Sequence, residues 1–461
     1  MKYFGTDGIR DRAGEGMLSD DNVRRVGIAL GRALQAGAGA RSAGAPVLIG
    51  RDTRGTGPQI TSALAAGLRA AGVEALDLGV ISTPGVAFIT RAEQAACGVV
   101  ISASHNPADD NGIKIFGADG YKASDELEQA VEAGIDALVA SNEQLPTNGG
   151  AAPREATHLL AAWEDDLVAR GGGDGALAGL TCVLDCANGA ASAIAPRVFG
   201  RLGATVHTHF AEPDGRNINA GCGALSPQVV APFVREHGAQ IGFTFDGDAD
   251  RMIAIDEHGD VRDGDFTLAI LGRRLHARGE LPGETVVTTV MANIGLEISL
   301  REAGIHLERT AVGDKYVAAR MREAGFVLGG EQSGHILWFG SDNGHEPVTT
   351  GDGILSAVLM ARTLRESGET LSALSSCLTR LPQLLVNVRV TDKPELLSID
   401  PVRKATEAAE KALGADGRIV LRYSGTEALA RVMVEGRSMA EITALANAIA
   451  DAIRREIGAE G

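Results

Sequence analysis

The chain of 461 residues is too long for one hydrophobic core, and its length predicts three or four domains. Acidic residues outnumber basic ones, 60 against 43, and the net charge of −17 argues against binding to nucleic acids or anionic membranes. The five cysteines are dispersed and odd in number, and no apolar run is long enough for a membrane span, so we expect a cytoplasmic protein without disulfides.

A short apolar run, a turn, a helical stretch and a second apolar run recur three times along the chain. The repeats occupy residues 46–79, 181–210 and 285–313. This order is typical of βαβ units, which build largely parallel or mixed sheets covered by helices. The expected fold is α/β, with three similar βαβ-containing mixed-sheet domains followed by a smaller α+β C-terminal domain.

Turn-rich segments separate these units. Residues 141–155 are polar and contain glycine and proline, a second break falls at 256–265, and the pattern changes beyond Thr370. The predicted domains are therefore 1–148, 156–256, 257–370 and 371–461.

Two dense turns precede the first strong motif. In FGTDGIRDR, residues 4–12, Arg10 is a candidate phosphate contact. The segment GRDTRGTG, residues 50–57, resembles a glycine-rich phosphate loop, but it lacks the G-x-x-x-x-G-K-[ST] spacing. The sequence therefore argues against a P-loop nucleotidase, and no G-x-G-x-x-G fingerprint predicts a dinucleotide site.

Ser104 lies where an apolar run ends. Val99, Val100 and Ile101 lead directly into Ser-Ala-Ser-His-Asn-Pro. Ser104 is either a reacting hydroxyl or part of a structural turn, and it does not match the G-x-S-x-G nucleophile of serine hydrolases.

Three alternating carboxylates follow another apolar run. Asp246, Asp248 and Asp250 come directly after residues 241–245, and such close carboxylates repel one another unless a cation lies among them. Oxygen ligands favour Mg²⁺ or Ca²⁺, and Arg251 at the position where an EF-hand needs glycine argues against the calcium loop. Mg²⁺ is the preferred interpretation, with a solvated acidic turn as the alternative. A phosphorylated Ser104 facing this site would explain both motifs.

Three later turns carry further candidates, each of which could instead be a solvated polar loop. AVGDKYV offers Lys315 as a phosphate contact, and GEQSGH offers groups suited to sugar hydroxyls and proton transfer. RYSGTE and the strand after it offer donors suited to a phosphate. The candidates in the last two motifs are Glu331, Ser333, His335, Arg422, Ser424, Gly425, Thr426 and Arg431.

The motifs SASHNP, DGDADR, GEQSGH and RYSGTE occur in this order in the α-D-phosphohexomutase family, which the sequence resembles along essentially its whole length. The resemblance implies that Ser104 is a phosphoserine whose phosphate holds one Mg²⁺ together with the three aspartates. Lys114 and His335 would then be the acid–base groups, assisted by Arg10. Glu331 and Ser333 would hold the sugar, and the donors from Arg422 to Arg431 would hold the non-reacting phosphate.

The form of the serine loop and Gln332 in GEQSGH most resemble the members of the family that act on amino sugars. The implied reaction interconverts glucosamine 6-phosphate and glucosamine 1-phosphate through a sugar 1,6-bisphosphate. Mannose or glucose phosphates are the alternative substrates, and a phosphatase or a non-catalytic sensor are the alternative classes. The resemblance also implies a homodimer and a fourth domain that closes as a lid.

Overall fold

The computed structural model describes residues 2–5, 7–38, 44–141, 143–146, 152–340, 347–424 and 427–459. These residues form four sheets in sequence order, and each sheet carries its own helices.

The first sheet contains six strands, in the order β1-β5-β4-β2-β3-β6. The strands are β1 (Ile9–Arg12), β2 (Val47–Arg51), β3 (Ala75–Val80), β4 (Cys97–Ile101), β5 (Asp110–Gly117) and β6 (Arg154–Glu155). Its helices are α1 (Asp20–Gln35), α2 (Gly57–Ala70), α3 (Thr83–Ala92) and α4 (Asp125–Ser141). Strand β2 is parallel to β3 and β4, whereas β5 is antiparallel to β4 and β1, so the sheet is mixed. All five residues of β4 are buried, as its apolar sequence predicts.

The second sheet has the order β11-β10-β9-β7-β8. The strands are β7 (Thr181–Asp185), β8 (Thr205–His209), β9 (Ile241–Phe245), β10 (Met252–Asp256) and β11 (Val261–Arg262). Helices α5 (Leu160–Arg170), α6 (Ala191–Arg201) and α7 (Ala231–Glu236) accompany it. The hairpin between β9 and β10 carries the aspartate cluster, so the aspartates lie at one edge of a buried sheet.

The third sheet has the order β13-β12-β14-β15. The strands are β12 (Thr285–Thr289), β13 (His306–Thr310), β14 (Leu328–Gly330) and β15 (Ile336–Trp338). The helices are α8 (Gly264–Ala277), α9 (Ile294–Glu302), α10 (Asp314–Ala324), α11 (Gly353–Ser367) and α12 (Leu371–Ser375). Helix α11 packs on β9, β10, α5 and α8, and one apolar core runs continuously through the first three sheets.

The fourth sheet is smaller and antiparallel, in the order β16-β18-β17. The strands are β16 (Gln383–Arg389), β17 (Arg418–Tyr423) and β18 (Leu429–Glu435), covered by α13 (Asp400–Leu413) and α14 (Met439–Ile457). This unit has a separate apolar core. Three mixed sheets followed by a smaller α+β unit confirm the predicted fold class.

The predicted domain boundaries stay predictions. Strand β6 pairs with β3 and so continues the first sheet to residue 155, and β11 pairs with β10 and so continues the second sheet to residue 262. Within the described residues, no helix has both the length and the apolar character needed to cross a bilayer.

Candidate active site

Ser104 lies in the turn between β4 and β5 and is 1% exposed. Its φ of +52° is in the left-handed region, which residues other than glycine rarely adopt without local support. The backbone N–H donates to Ser102 Oγ over 2.8 Å, and Ser104 Oγ donates to Asp246 Oδ2 over 2.6 Å. The structure therefore brings the predicted serine into direct contact with the predicted aspartate cluster.

The aspartate loop forms a compact, buried set of oxygens. One carboxylate oxygen from each of Asp246, Asp248 and Asp250 lies within 4.8 Å of the other two. Asp248 Oδ1 and Asp250 Oδ1 are buried and have no hydrogen-bond partner among the described residues. Burial, and then the charges of Asp250 and Asp248, hold the pKa of Asp246 well above its usual range. These buried carboxylate oxygens without hydrogen bonds fit a divalent cation with oxygen ligands.

Lys114 reaches the same loop from β5. Its Nζ lies 2.9 Å from Asp248 Oδ2, 3.1 Å from Asp7 Oδ2 and 3.5 Å from Asp250 Oδ2. Burial alone would lower the pKa of Lys114, but the three carboxylates outweigh it and raise the pKa well above the usual value. Lys114 is therefore an ammonium at neutral pH.

His335 lies just before β15 and is 4% exposed. Its Nε2 is 3.3 Å from Asp314 Oδ2, and its Nδ1 is 3.6 Å from Asp250 Oδ1. Burial lowers the pKa of His335, whereas Asp250 and Asp314 raise it more strongly, to about 10. A Cβ on Gly351 would overlap the His335 ring, so the close approach of the chain needs glycine there.

A cavity of about 460 Å³ opens beside these groups and is lined by residues of the first three sheets, including Arg10, Asp250, Glu331 and His335. A second cavity of about 420 Å³ shares Arg251 and Glu331 with the first and is also lined by Gln332 and Ser333. The Nε groups of Arg10 and Arg251 are buried and have no hydrogen-bond partner within the described chain. The cavity wall thus carries guanidinium groups next to carboxylates, which suits a phosphorylated and hydroxylated ligand.

Two groups of predicted residues lie apart from this cavity. Lys315 lines a smaller space of about 200 Å³, which also contains Lys122 and Asp314 in its wall. Arg422 and Arg431 face each other across β17 and β18, and Arg431 Nη2 is 3.4 Å from Ser424 Oγ. Burial, and then Arg431, lower the pKa of Arg422. None of these four residues lines the two larger cavities, and Gly425 and Thr426 lie outside the described residues.

Several residues of the site had not been assigned from the sequence. Arg251 follows the aspartates directly, and this position next to a carboxylate cluster is the sequence feature that could have assigned it to the site. Thr83 Oγ1 donates to Asp248 Oδ2 over 2.6 Å. Asp7 joins Lys114 to Arg10, whose Nη2 lies 2.6 Å from Asp7 Oδ2. The contacts of Thr83 with Asp248 and of Asp7 with Lys114 form only in the folded chain, so no local pattern marks them.

The site and the four-part fold define a class of enzyme, and comparison with known families identifies the same class. Models of the phosphoglucomutase/phosphomannomutase family match the chain in order, with alpha/beta/alpha domains I, II and III at residues 1–141, 174–259 and 263–381 and the C-terminal domain at 385–452. The chain belongs to this family of sugar-phosphate isomerases, which confirms the resemblance predicted from its motifs.

Individual relatives are similar over nearly their whole length. The phosphoglucosamine mutase of Desulforudis audaxviator is 47% identical over 95% of both chains, and that of Symbiobacterium thermophilum is 47% identical over 99% of both. Among solved structures, a phosphoglucomutase/phosphomannomutase family protein from Burkholderia thailandensis has a TM-score of 0.78 at 24% identity, covering 98% of this chain and 97% of its own. That likeness shows the shared fold.

Proposed function

We propose that the chain is a phosphoglucosamine mutase, which interconverts glucosamine 6-phosphate and glucosamine 1-phosphate through a phosphorylated Ser104 and a sugar 1,6-bisphosphate. The observation that carries the proposal is the 2.6 Å contact of Ser104 Oγ with Asp246, at the entrance to a buried carboxylate cluster. A phosphate on this hydroxyl would lie next to the aspartates, and a cation held by their oxygens would balance its charge. Phosphoglucosamine mutases that are 43–47% identical over nearly the full chain support the choice of amino sugar.

In the first transfer, the free hydroxyl of the sugar monophosphate attacks the phosphorus of phospho-Ser104. An O–P bond forms to the sugar as the bond to Ser104 Oγ breaks. The attacking hydroxyl loses one proton and Ser104 Oγ gains one, so protons balance over the step. After the bisphosphate turns round, Ser104 Oγ attacks the other phosphate and the steps reverse. Ser104 must therefore be held in one place through both transfers.

The surrounding charges fit this reaction. Asp246, Asp248 and Asp250 would hold one Mg²⁺, which would neutralise charge on the phosphoryl oxygens when bound. The neighbouring carboxylates raise the pKa of both Lys114 and His335, which favours their protonated forms, so we assign them as proton donors to the departing oxygen. Arg10 and Arg251 would hold phosphate oxygens, and Glu331 and Ser333 the sugar hydroxyls. Lys315 and the fourth-domain residues Arg422, Ser424, Gly425, Thr426 and Arg431 remain proposed phosphate contacts.

The test is an intact mass with peptide mapping of the purified protein before and after addition of a glucosamine bisphosphate. We expect a phosphate on Ser104 that transfers to added glucosamine 6-phosphate, no phosphate in Ser104→Ala, and an unchanged result in Ser62→Ala, which alters an exposed serine on α2. A Ser104 that never takes up phosphate would refute the mechanism. Equal or faster turnover of mannose or glucose phosphates would instead move the assignment to another branch of the family.

We further propose a cytoplasmic homodimer. All five cysteines are free thiols, as a reducing compartment favours. Light scattering during size-exclusion chromatography would test the dimer, and a mass near the 47.6 kDa of one chain would exclude it.

A further inference from the structure

The backbone of Ser104 is held by an unusual pair of side chains. Its carbonyl oxygen accepts from Arg54 Nη2 over 3.0 Å and from Asn219 Nδ2 over 2.9 Å. The same two nitrogens also donate to the carbonyl of Asn106, over 2.9 Å and 3.1 Å. Two donors from different parts of the chain therefore bridge the same two carbonyls of the serine loop.

Arg54 holds the loop from within the first domain. It is 1% exposed, and its Nε lies 2.9 Å from Asp52 Oδ2, which also accepts from Ser102 Oγ over 2.6 Å. Since Ser102 Oγ in turn accepts from the N–H of Ser104, both backbone groups of Ser104 are tied to one buried ion pair. This arrangement explains how Ser104 keeps its positive φ.

Asn219 holds the loop from the second domain, which also carries the aspartates. Its own backbone has a φ of +58°, and its N–H donates to Ala187 O over 2.9 Å. The aspartate loop leaves no room at this point, because a Cβ on Gly247 would lie 2.6 Å from Ser104 O and 3.0 Å from Asn219 Nδ2. The Ser104 carbonyl, the Asn219 amide and the aspartate loop therefore meet at one place.

We propose that Asn219 is a positioning residue for phosphoryl transfer. This proposal rests on the function proposed above. The role of Asn219 is to fix the position of the Ser104 loop of the first domain relative to the aspartates of the second. Asn219 does not touch the reacting oxygen. It keeps Ser104 Oγ aimed at the metal site when the serine has given up its phosphate and must attack again. A loop in a left-handed conformation would otherwise relax away from that geometry, and small misplacements slow such reactions strongly.

Asn219→Asp is the sharpest variant, because aspartate has the same shape and tolerates the positive φ but presents an acceptor to two carbonyl oxygens. We expect kcat to fall about 10- to 100-fold, with KM changed less than about threefold. In single-turnover measurements, transfer of a phosphate from a glucosamine bisphosphate to unphosphorylated Ser104 should slow by the same factor. Asn219→Gly, which removes the side chain without backbone strain, should also lower kcat. The matched control is Gln94→Gly, which changes an exposed residue with a φ of +52° far from the loop and should leave kcat unchanged.

The ratio of the kcat of the variant to the kcat of the wild type tests the role of Asn219, whereas the turnover of the wild type itself tests the proposed function. An inactive wild type refutes the proposed function. An active wild type whose Asn219→Asp variant turns over within about twofold refutes the positioning role. A fall in kcat that merely follows the loss of folded protein in circular dichroism refutes it equally.

Discussion

Thr83 illustrates how a residue away from the substrate cavity can control the metal site. Its Oγ1 donates to Asp248 Oδ2 over 2.6 Å, and its N–H donates to Asp248 O over 2.9 Å. The hydroxyl thus hydrogen-bonds one carboxylate oxygen of Asp248 and leaves the other, Oδ1, available to a cation. Residues that orient metal ligands in this way usually matter for affinity nearly as much as the ligands do.

Thr83→Val keeps the shape of the side chain and removes its hydroxyl. We expect the Mg²⁺ concentration for half-maximal activity to rise about 10- to 100-fold, because Asp248 loses the donor that orients it. Thr90→Val is the matched control, since Thr90 is buried in the same helix and its hydroxyl donates to Val86 O, away from the aspartates. Equal metal dependence in the two variants would contradict this role.

Among the secondary-structure elements, apolar runs followed by polar turns were the most informative part of the sequence. The runs at 97–101 and 241–245 are β4 and β9, and the turns after them contribute Ser104 and the aspartates. Short-range patterns could not assign Arg54, because its partners are carbonyls about fifty residues further along the chain. They also could not choose between neighbours on a helix. Asp314 lines the larger cavity and reaches His335, whereas the adjacent Lys315 lines only the smaller of these two spaces, since successive side chains point about 100° apart.

The start of α11 supports the aspartate loop directly. The N–H of Gly353 donates to Ala249 O over 3.0 Å, and Asp352 caps the helix by accepting from the N–H of Leu355 over 3.0 Å. A Cβ on Gly353 would lie 2.7 Å from the carbonyl carbon of Arg251. The helix therefore begins in contact with the backbone that carries the metal ligands.

Gly353→Ala should consequently push α11 and the aspartate loop apart. We expect a lower Tm together with a fall of roughly tenfold or more in kcat, as for other small displacements of a reacting group. Gly200→Ala provides the comparison, because Gly200 lies in α6 and a Cβ there meets nothing within 4 Å. That change should stabilise the protein by up to about 1 kcal/mol without altering kcat. If kcat and Tm of Gly353→Ala changed only as in Gly200→Ala, the contact between α11 and the aspartate loop would not matter for activity.

At the scale of the whole molecule, polar contacts join the fourth domain to the third, and Arg418 makes several of them. Arg418 donates to Val290 O and Ala292 O over 2.9 Å each and lies 2.7 Å from the buried Glu435. Arg422 is four residues further along β17, roughly 13 Å at 3.3 Å per residue. Arg422, Ser424 and Arg431 thus lie away from the contact with the third domain and do not line the two larger cavities.

For these contacts to reach a substrate, the fourth domain must turn toward the cavity about its junction with the third. A compact chain of 461 residues has a radius of gyration of roughly 23 Å, and an open cleft makes the value larger. Small-angle X-ray scattering should therefore record a smaller radius when glucosamine 6-phosphate saturates the protein.

Arg431→Ala should weaken this compaction, because the bound phosphate loses a cation that holds the domain closed. Arg437→Ala removes an exposed cation of the same domain that pairs with Asp416, and it should compact like the wild type. Closure depends on a difference in ligand affinity between the open and closed states. Equal compaction in both variants would therefore show that Arg431 does not bind the phosphate.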